Sequence, residues 1–352
     1  MITNIVLENF KKFKYLRIND LKRAALISGR NNIGKSSILE ALFLYMDHSA
    51  GDSFGKLNSF RGITGGGTEG LWEPLFFNRD TSLPISIEVA SEDKTGRLEF
   101  RRDDNYLPAD INGISEDVIA QFRTVTREAY SLGYSYKCDD YAEQGHFSLS
   151  NTSILRDIKT SLPGNEIIGM VPTQFKNGIF MRDYNTLVNT VGKLELTGEK
   201  SKLIKVLQNM DPSIEDILTV SVKGVTQLYV KGEGGLVPLQ YSGDGVIKLI
   251  NICMAIMERK NGLLLIDEME NGLHYSMYGK LWTMIDRISK EVNCQVIATT
   301  HSYELISAVK SGFEHKEDFV FYRLGKIKDN ISSFRFDYEM LDNALKSEME
   351  IR

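Results

Sequence analysis

Residues 29–36 read Gly29-Arg30-Asn31-Asn32-Ile33-Gly34-Lys35-Ser36, with two glycines, a lysine and a hydroxyl in the order G-x-x-x-x-G-K-S. Glycines at those two positions let main-chain N–H groups curl around an anion. A lysine amine at the seventh position reaches the terminal phosphates of a triphosphate, and the hydroxyl that follows suits a magnesium ion. The pattern predicts a Mg·ATP site. Gly29, Asn31, Asn32, Gly34, Lys35, Ser36 and Ser37 would surround the phosphates, with Ser36 also on the metal. A helix from Ser37 onward would add the positive end of its dipole.

Three further constellations stand downstream. Leu263-Leu264-Leu265-Ile266-Asp267-Glu268 is an apolar run ending in two carboxylates. A buried parallel strand would deliver both to its C-terminal edge, Asp267 to hold Mg²⁺ and Glu268 to polarise the attacking water as general base. Tyr241-Ser242-Gly243-Asp244-Gly245 opens a helical stretch. It is either a glycine-rich cap or a second phosphate-binding turn made of N–H groups, a small hydroxyl and a helix dipole. One subunit needs no second grip on the same phosphate, but a dimer sharing each nucleotide across its interface does. Thr299-Thr300-His301-Ser302 follows the next apolar run, where α/β folds place ligands, and predicts His301 as a donor to the γ-phosphate.

The elements that must position these groups are partly legible. Strands are expected at 2–8, 14–19 and 24–28, then a helix over 37–45. Residues 51–70, with Gly65-Gly66-Gly67, read as a surface loop. Segments 85–90 and 97–102 alternate as a hairpin, and 111–165 is mixed. A strand is expected at 166–171, a helix over 184–210 and a strand pair over 217–240. The remainder reads as helix 245–259, strand 263–266, helix 276–291, strand 294–299, helix 303–310, and strands 319–324 and 331–336. Strands alternating with helices imply a largely parallel sheet covered on both faces. The chain divides into 1–110, an inserted helical and β lobe over 111–240, and 241–352.

Composition bounds the partners. The 352 residues carry a net charge of −5, which argues against a strongly cationic protein, although Lys11, Lys12, Lys14, Arg17, Lys22 and Arg23 cluster near the start. Cys138, Cys253 and Cys294 form no C-x-x-C pair, which suggests a reducing compartment and no zinc site. No apolar run approaches the ~20 residues of a membrane span, and a cytoplasmic protein away from the membrane is expected.

The order of these four motifs resembles that of ABC-type ATPase heads, shared by the SMC and RecF proteins. GDGVIKLI, LLLIDEMENGLHYS and CQVIATTHSYE are similar to stand-alone AAA-type ATPases related to the OLD (overcoming lysogenisation defect) family. The resemblance spans residues 1–45 and about 165–310. It implies a P-loop ABC-ATPase-like head of α/β class: a mixed, largely parallel sheet, an N-terminal antiparallel β subdomain and an inserted mainly helical lobe. It implies ATP and Mg²⁺ as cofactors and a homodimer or higher even oligomer formed on ATP. Ser242, Gly243 and Gly245 would contact the other subunit's ATP, and Lys248 would also reach phosphate. Glu270–His274 would be the D-loop crossing the dimer axis. Gln174, after strand 166–171, would be the Q-loop ligand to the metal, although Pro172-Thr173-Gln174-Phe175 also reads as a plain turn. Tyr241-Ser-Gly-Asp-Gly in place of LSGGQ departs from transporters.

Sustained heptads are absent, so no SMC-type arm is expected. About forty residues follow Lys310, without an acidic cluster at metal-ligand spacing, so a TOPRIM nuclease is not expected on this chain. By the resemblance, the chain would be an ATPase switch governing a separate effector, a TOPRIM-like nuclease or toxin, in bacterial anti-phage defence. A DNA-binding repair or recombination ATPase of RecF type is the alternative, with nucleic acid as its partner.

Overall fold

A computed structural model describes residues 1–48, 56–57, 72–103, 131–149, 154–160, 173–176, 184–222, 224–347 and 349–351. The strand expected at 166–171 and, apart from residues 56–57, the loop expected over 51–70 fall outside them. Two compact units emerge. One comprises Met1–Leu21, Asn31–Met170 and Leu324–Phe334; the other Lys22–Arg30, Val171–Arg323 and Arg335–Arg352. Each is assembled from several stretches, whereas the sequence suggested three consecutive ones.

The first unit is built on a seven-stranded antiparallel sheet, order β2-β1-β4-β5-β6-β7-β8. Its strands are β1 (Ile2–Phe10), β2 (Phe13–Asn19), β4 (Ile85–Ser91), β5 (Thr95–Asp103), β6 (Ser131–Cys138), β7 (Tyr141–Leu149) and β8 (Ile154–Thr160). The first two of these were expected to end by residue 8 and to begin at residue 14, and both run slightly longer. Alternation of apolar and charged residues buries one face: Leu16 and Ile18 on β2, Leu98 and Phe100 on β5. Helix α1 (Lys35–Met46) packs against β1 and β4. Ile38 through Leu44 are apolar apart from Glu40, and all seven are buried, as befits a helix without a polar face. Glu40 is paired with Lys11 from the β1–β2 turn.

The second unit holds the core of a six-stranded sheet, order β16-β15-β3-β14-β13-β9. These strands are β3 (Ala24–Gly29), β9 (Thr173–Lys176), β13 (Leu263–Ile266), β14 (Gln295–Thr299), β15 (Phe319–Ile327) and β16 (Asn330–Phe336). β3, β14, β13 and β9 run parallel. Every residue of β3, β13 and β14 is buried, which explains their predominantly apolar sequence, unbroken in β13. Around them lie α4 (Asp244–Glu258), α5 (Tyr278–Glu291), α6 (Tyr303–Gly312) and α7 (Tyr338–Lys346). Trp282 on α5 ties α6 down by donating Nε1–H to the Leu305 carbonyl at 2.9 Å.

The inserted lobe carries α2 (Tyr184–Leu196), α3 (Lys200–Met210) and an antiparallel sheet of β10 (Ile214–Val222), β11 (Val225–Gly232) and β12 (Gly235–Pro238). α2 packs on β11 and α3 on β10, burying Leu187, Val191, Leu203 and Leu207. Thr190 of α2 also donates to the Glu258 carboxylate at the end of α4.

Candidate active site

Register fixes which chain ends meet. Ile266 of β13 is opposite Ala298 of β14, and Thr299 of β14 is opposite Ile27 of β3. All three strands run the same way, so Gly29, Asp267-Glu268 and Thr300-His301 emerge at one sheet edge. The carboxyl ends of parallel strands are where open α/β sheets hold ligands. The Thr300 N–H donates to the Ile27 carbonyl at 3.0 Å, continuing the ladder to that edge. Gln174 lies within β9, paired with Leu264, two positions before the residue paired with Ile266. It is therefore inside a strand beside β13, not in a turn beyond one.

Thr299 ties the Asp267 carboxylate to the Glu268 main chain. Its hydroxyl donates to Asp267 Oδ1 at 2.5 Å and accepts from the Glu268 N–H at 2.9 Å. Glu268 is held at φ 49°, a left-handed conformation costing a non-glycine residue about 1–3 kcal/mol. Strain of this kind persists where surrounding bonds over-determine the backbone. Here these are the Thr299 hydroxyl and the Met269 N–H donating to the Thr299 carbonyl at 3.0 Å. Asn271 Nδ2 donates to Glu268 Oε2 at 2.6 Å, and the His301 N–H donates to Glu270 Oε1 at 2.6 Å. The sequence reading gave Thr299 no role. Register supplies it: Ile266 ends β13 opposite Ala298, so the next residues, Asp267 and Thr299, stand side by side.

The glycine loop leaves β3 at Gly29 and ends at Gly34, the N-cap of α1. Asn32 has φ 60° and Gly34 φ 107°. A Cβ on Gly34 would stand 2.6 Å from Phe13 Cζ, so both backbone and space demand glycine. No side chain caps α1, and its first turn holds no acidic residue. That start suits an anion, whose charge the first N–H groups and the helix dipole favour. These features fit a nucleotide whose phosphates Gly29–Ser37 would hold, and the Asp267 carboxylate at the sheet edge is of the kind that holds magnesium.

At the second glycine turn, Ser242 closes a short 3₁₀ turn (Leu239–Tyr241) and Gly243 caps α4. Gly243 has φ −55°, open to any residue, and among the described residues a Cβ there would meet nothing within 4 Å. Gly245 differs, since a Cβ would lie 3.0 Å from Met277 Sδ. Lys248, expected to reach phosphate, is buried and donates instead to the Asn271 carbonyl of its own chain. The second turn of α4 points it inward, toward the segment after β13.

A family model described as "AAA domain, putative AbiEii toxin, Type IV TA system" matches residues 25–307. The chain belongs to this family. It is an ATP-hydrolysing enzyme of the P-loop class. An ATP/GTP phosphatase of Helicobacter pylori is 26% identical over 343 residues, covering 90% of each chain. An uncharacterized protein of Methanocaldococcus jannaschii is 31% identical over 98 residues, 26% of this chain and 43% of that one. In fold, the chain is similar to an SMC head bound to the C-winged helix domain of ScpA, with TM-score 0.54, 11% identity, and 96% and 98% of the two chains covered. It is also similar to an Smc head domain with an extended coiled coil from Pyrococcus furiosus, with TM-score 0.51, 11% identity and 99% of each chain covered. The fold is thus an α/β ATPase head with an N-terminal antiparallel sheet, a mixed sheet and an inserted helical lobe.

In this family member, Gly29, Asp267, Glu268 and His301 share one sheet edge of the second unit. Ser242, Gly243 and Gly245 lie at the start of α4 in the same unit, and Asn31–Ser37 belong to the first. Among the described residues, no helix is long and apolar enough to cross a membrane.

Proposed function

We propose that the chain is a Mg²⁺-dependent ATPase that closes into a homodimer, or a higher even oligomer, on ATP. Each site is completed by Ser242, Gly243 and Gly245 of the other subunit. Lys35 grips the β- and γ-phosphates, Ser36 and Asp267 serve the metal, Glu268 activates water, and His301 donates to the γ-phosphate. Closure gates a separate cytoplasmic effector, a toxin or TOPRIM-like nuclease, in anti-phage defence.

The observation that carries the shared site is Gly243. Among the described residues nothing requires glycine there, because its φ is ordinary and a Cβ would meet none of their atoms within 4 Å. A glycine at the exposed start of a fifteen-residue helix leaves room for an external phosphate to reach main-chain N–H groups. Tyr241 and Tyr275, 82% and 66% exposed, flank this turn and the D-loop in sequence. Exposed aromatics of this kind are enriched at protein interfaces. The toxin–antitoxin description of the family supports an effector partner. The phosphatase named for the Helicobacter relative supports nucleoside triphosphate hydrolysis.

Light scattering of Glu268→Gln with and without Mg·ATP tests the reading. The mass is expected to double on Mg·ATP, and Ser242→Arg placed in the same background is expected to abolish the gain. A mass that stays monomeric overturns the shared site.

A further inference from the structure

The segment after β13 carries a relay that neither the glycine loop nor the carboxylates account for. Asn271 Nδ2 donates to Glu268 Oε2 at 2.6 Å. Lys248 Nζ donates to the main-chain carbonyl of that same Asn271. Lys248 is 3% exposed, and its Cδ lies 3.9 Å from where a Cβ on Gly272 would be. Burial pushes its amine down to about 8, with Glu270 and Glu268 partly offsetting the effect. Leucine or methionine would fill this interior position without that cost. An ammonium retained there does what an apolar side chain does not: it ties α4 to the backbone that aims Asn271.

We propose that Lys248 is a positioning residue for hydrolysis, locking the Asn271 main chain so that the Asn271 amide sets Glu268 for the attacking water. The proposal rests on Glu268 being the general base. It makes the base sensitive to α4, whose first turn begins immediately after Gly243. Lys248 stands one turn further on, so a shift of α4 when a partner's nucleotide docks on Ser242–Gly245 reaches Glu268 through two hydrogen bonds. The start of α4 then both receives a neighbour's nucleotide and reports it to its own site. Glu268, held off the ordinary backbone conformations at φ 49°, is the strained element that such a signal resets.

The test is steady-state phosphate release and binding of a fluorescent ATP analogue by the full chain. The variants are Lys248→Met, Asn271→Ala, the pair together, and Glu268→Gln. Lys248→Met and Asn271→Ala are each expected to lower kcat roughly 10–100-fold, as loss of an orienting partner does, with KM and nucleotide affinity changed less than about threefold. The double variant is expected to be no slower than the slower single one, because the two act in series. Asn271 is exposed, so its variant remains informative if Lys248→Met folds poorly. Losses that multiply in the double variant, or normal kcat in Asn271→Ala, overturn the relay. Normal turnover in Glu268→Gln overturns the base assignment and the relay with it. A slow Glu268→Gln beside normal Lys248→Met and Asn271→Ala overturns the relay alone.

Discussion

Thr299 Oγ1 donates a 2.5 Å hydrogen bond to Asp267 Oδ1. Asp267 follows the last residue of β13 and Thr299 ends the neighbouring parallel β14, so the bond fixes the Asp267 carboxylate at the carboxyl edge of the sheet. Thr299→Val keeps the volume and removes the donor. Turnover is expected to fall roughly 10–100-fold, the usual loss when a metal ligand's orienting partner goes, with a higher Mg²⁺ concentration at half-maximal rate. Thr299→Ser is expected to restore most of it. A magnesium titration of all three proteins decides the matter, and an unchanged midpoint in Thr299→Val would remove Thr299 from the metal site.

Two glycines separate fold from assembly. Gly34 sits at φ 107° with Phe13 Cζ 2.6 Å from a would-be Cβ, while Gly243 has neither constraint. Gly34→Ala is expected to lower Tm by several degrees, since the left-handed backbone alone costs about 1–2 kcal/mol. Gly243→Ala is expected to melt with wild type yet fail to dimerise on ATP. Thermal melts and light scattering on the two variants check both. An equal fall in Tm would make Gly243 a structural glycine.

How far these features were legible depended on competing periods. β13 is legible to the residue and β14 to within one, because fully buried parallel strands are apolar at their centres, Leu263–Ile266 in one and Val296–Ala298 in the other. The stretch 184–210 read as one helix although it is two, because the amphipathic spacing resumes after Gly198, whose φ of 72° turns the chain. The expected strand pair over 217–240 is three strands. Its turn at Gly232–Gly235 was legible, but the earlier one at Gly224, φ 79°, was hidden between two β-rich runs. β6 and β7 escaped because tyrosines, a histidine and lysine share their faces, as in Tyr134, Tyr136, Lys137 and His146. α7 buries only Leu341 and Ala344, too short a stripe to show a period, and is started by Asp337 accepting from the Met340 N–H. Among the candidate site residues, residue type alone points to Lys35, Asp267 and Glu268. Thr299, Asn271 and Lys248 are bonded to partners that only strand register and the turn after β13 bring close.

Asp286 supports the end of α6 from beneath. Its carboxylate is 1% exposed and accepts from the Glu314 N–H at 2.8 Å and the His315 N–H at 3.2 Å, with His315 Nδ1 at 2.9 Å. Asp286→Ala strands two main-chain donors, and each unsatisfied buried group costs about 1–3 kcal/mol. The unfolding midpoint is expected to drop several degrees. A midpoint within a degree of wild type would show that water replaces the carboxylate.

Lys248 predicts an unusual sign. Burial holds its amine at about 8 against an ordinary 10.5. Below pH 8 the folded chain carries a buried charge, a disadvantage of about 3 kcal/mol at 1.36 kcal/mol per pH unit. Between pH 8 and 10.5 the unfolded chain keeps a proton that the folded chain has released, so this contribution to stability rises with pH. The buried thiols of Cys253 and Cys294, pushed up by burial, act oppositely above their ordinary 9.0. Wild type and Lys248→Met share those thiols, so the difference in Tm between them isolates the lysine. Wild type is expected to gain on Lys248→Met as pH rises from 7 to 10, although Lys248→Met turns over more slowly throughout. A structural lysine would show the reverse, with its largest advantage at pH 7 and a decline as the amine loses its proton.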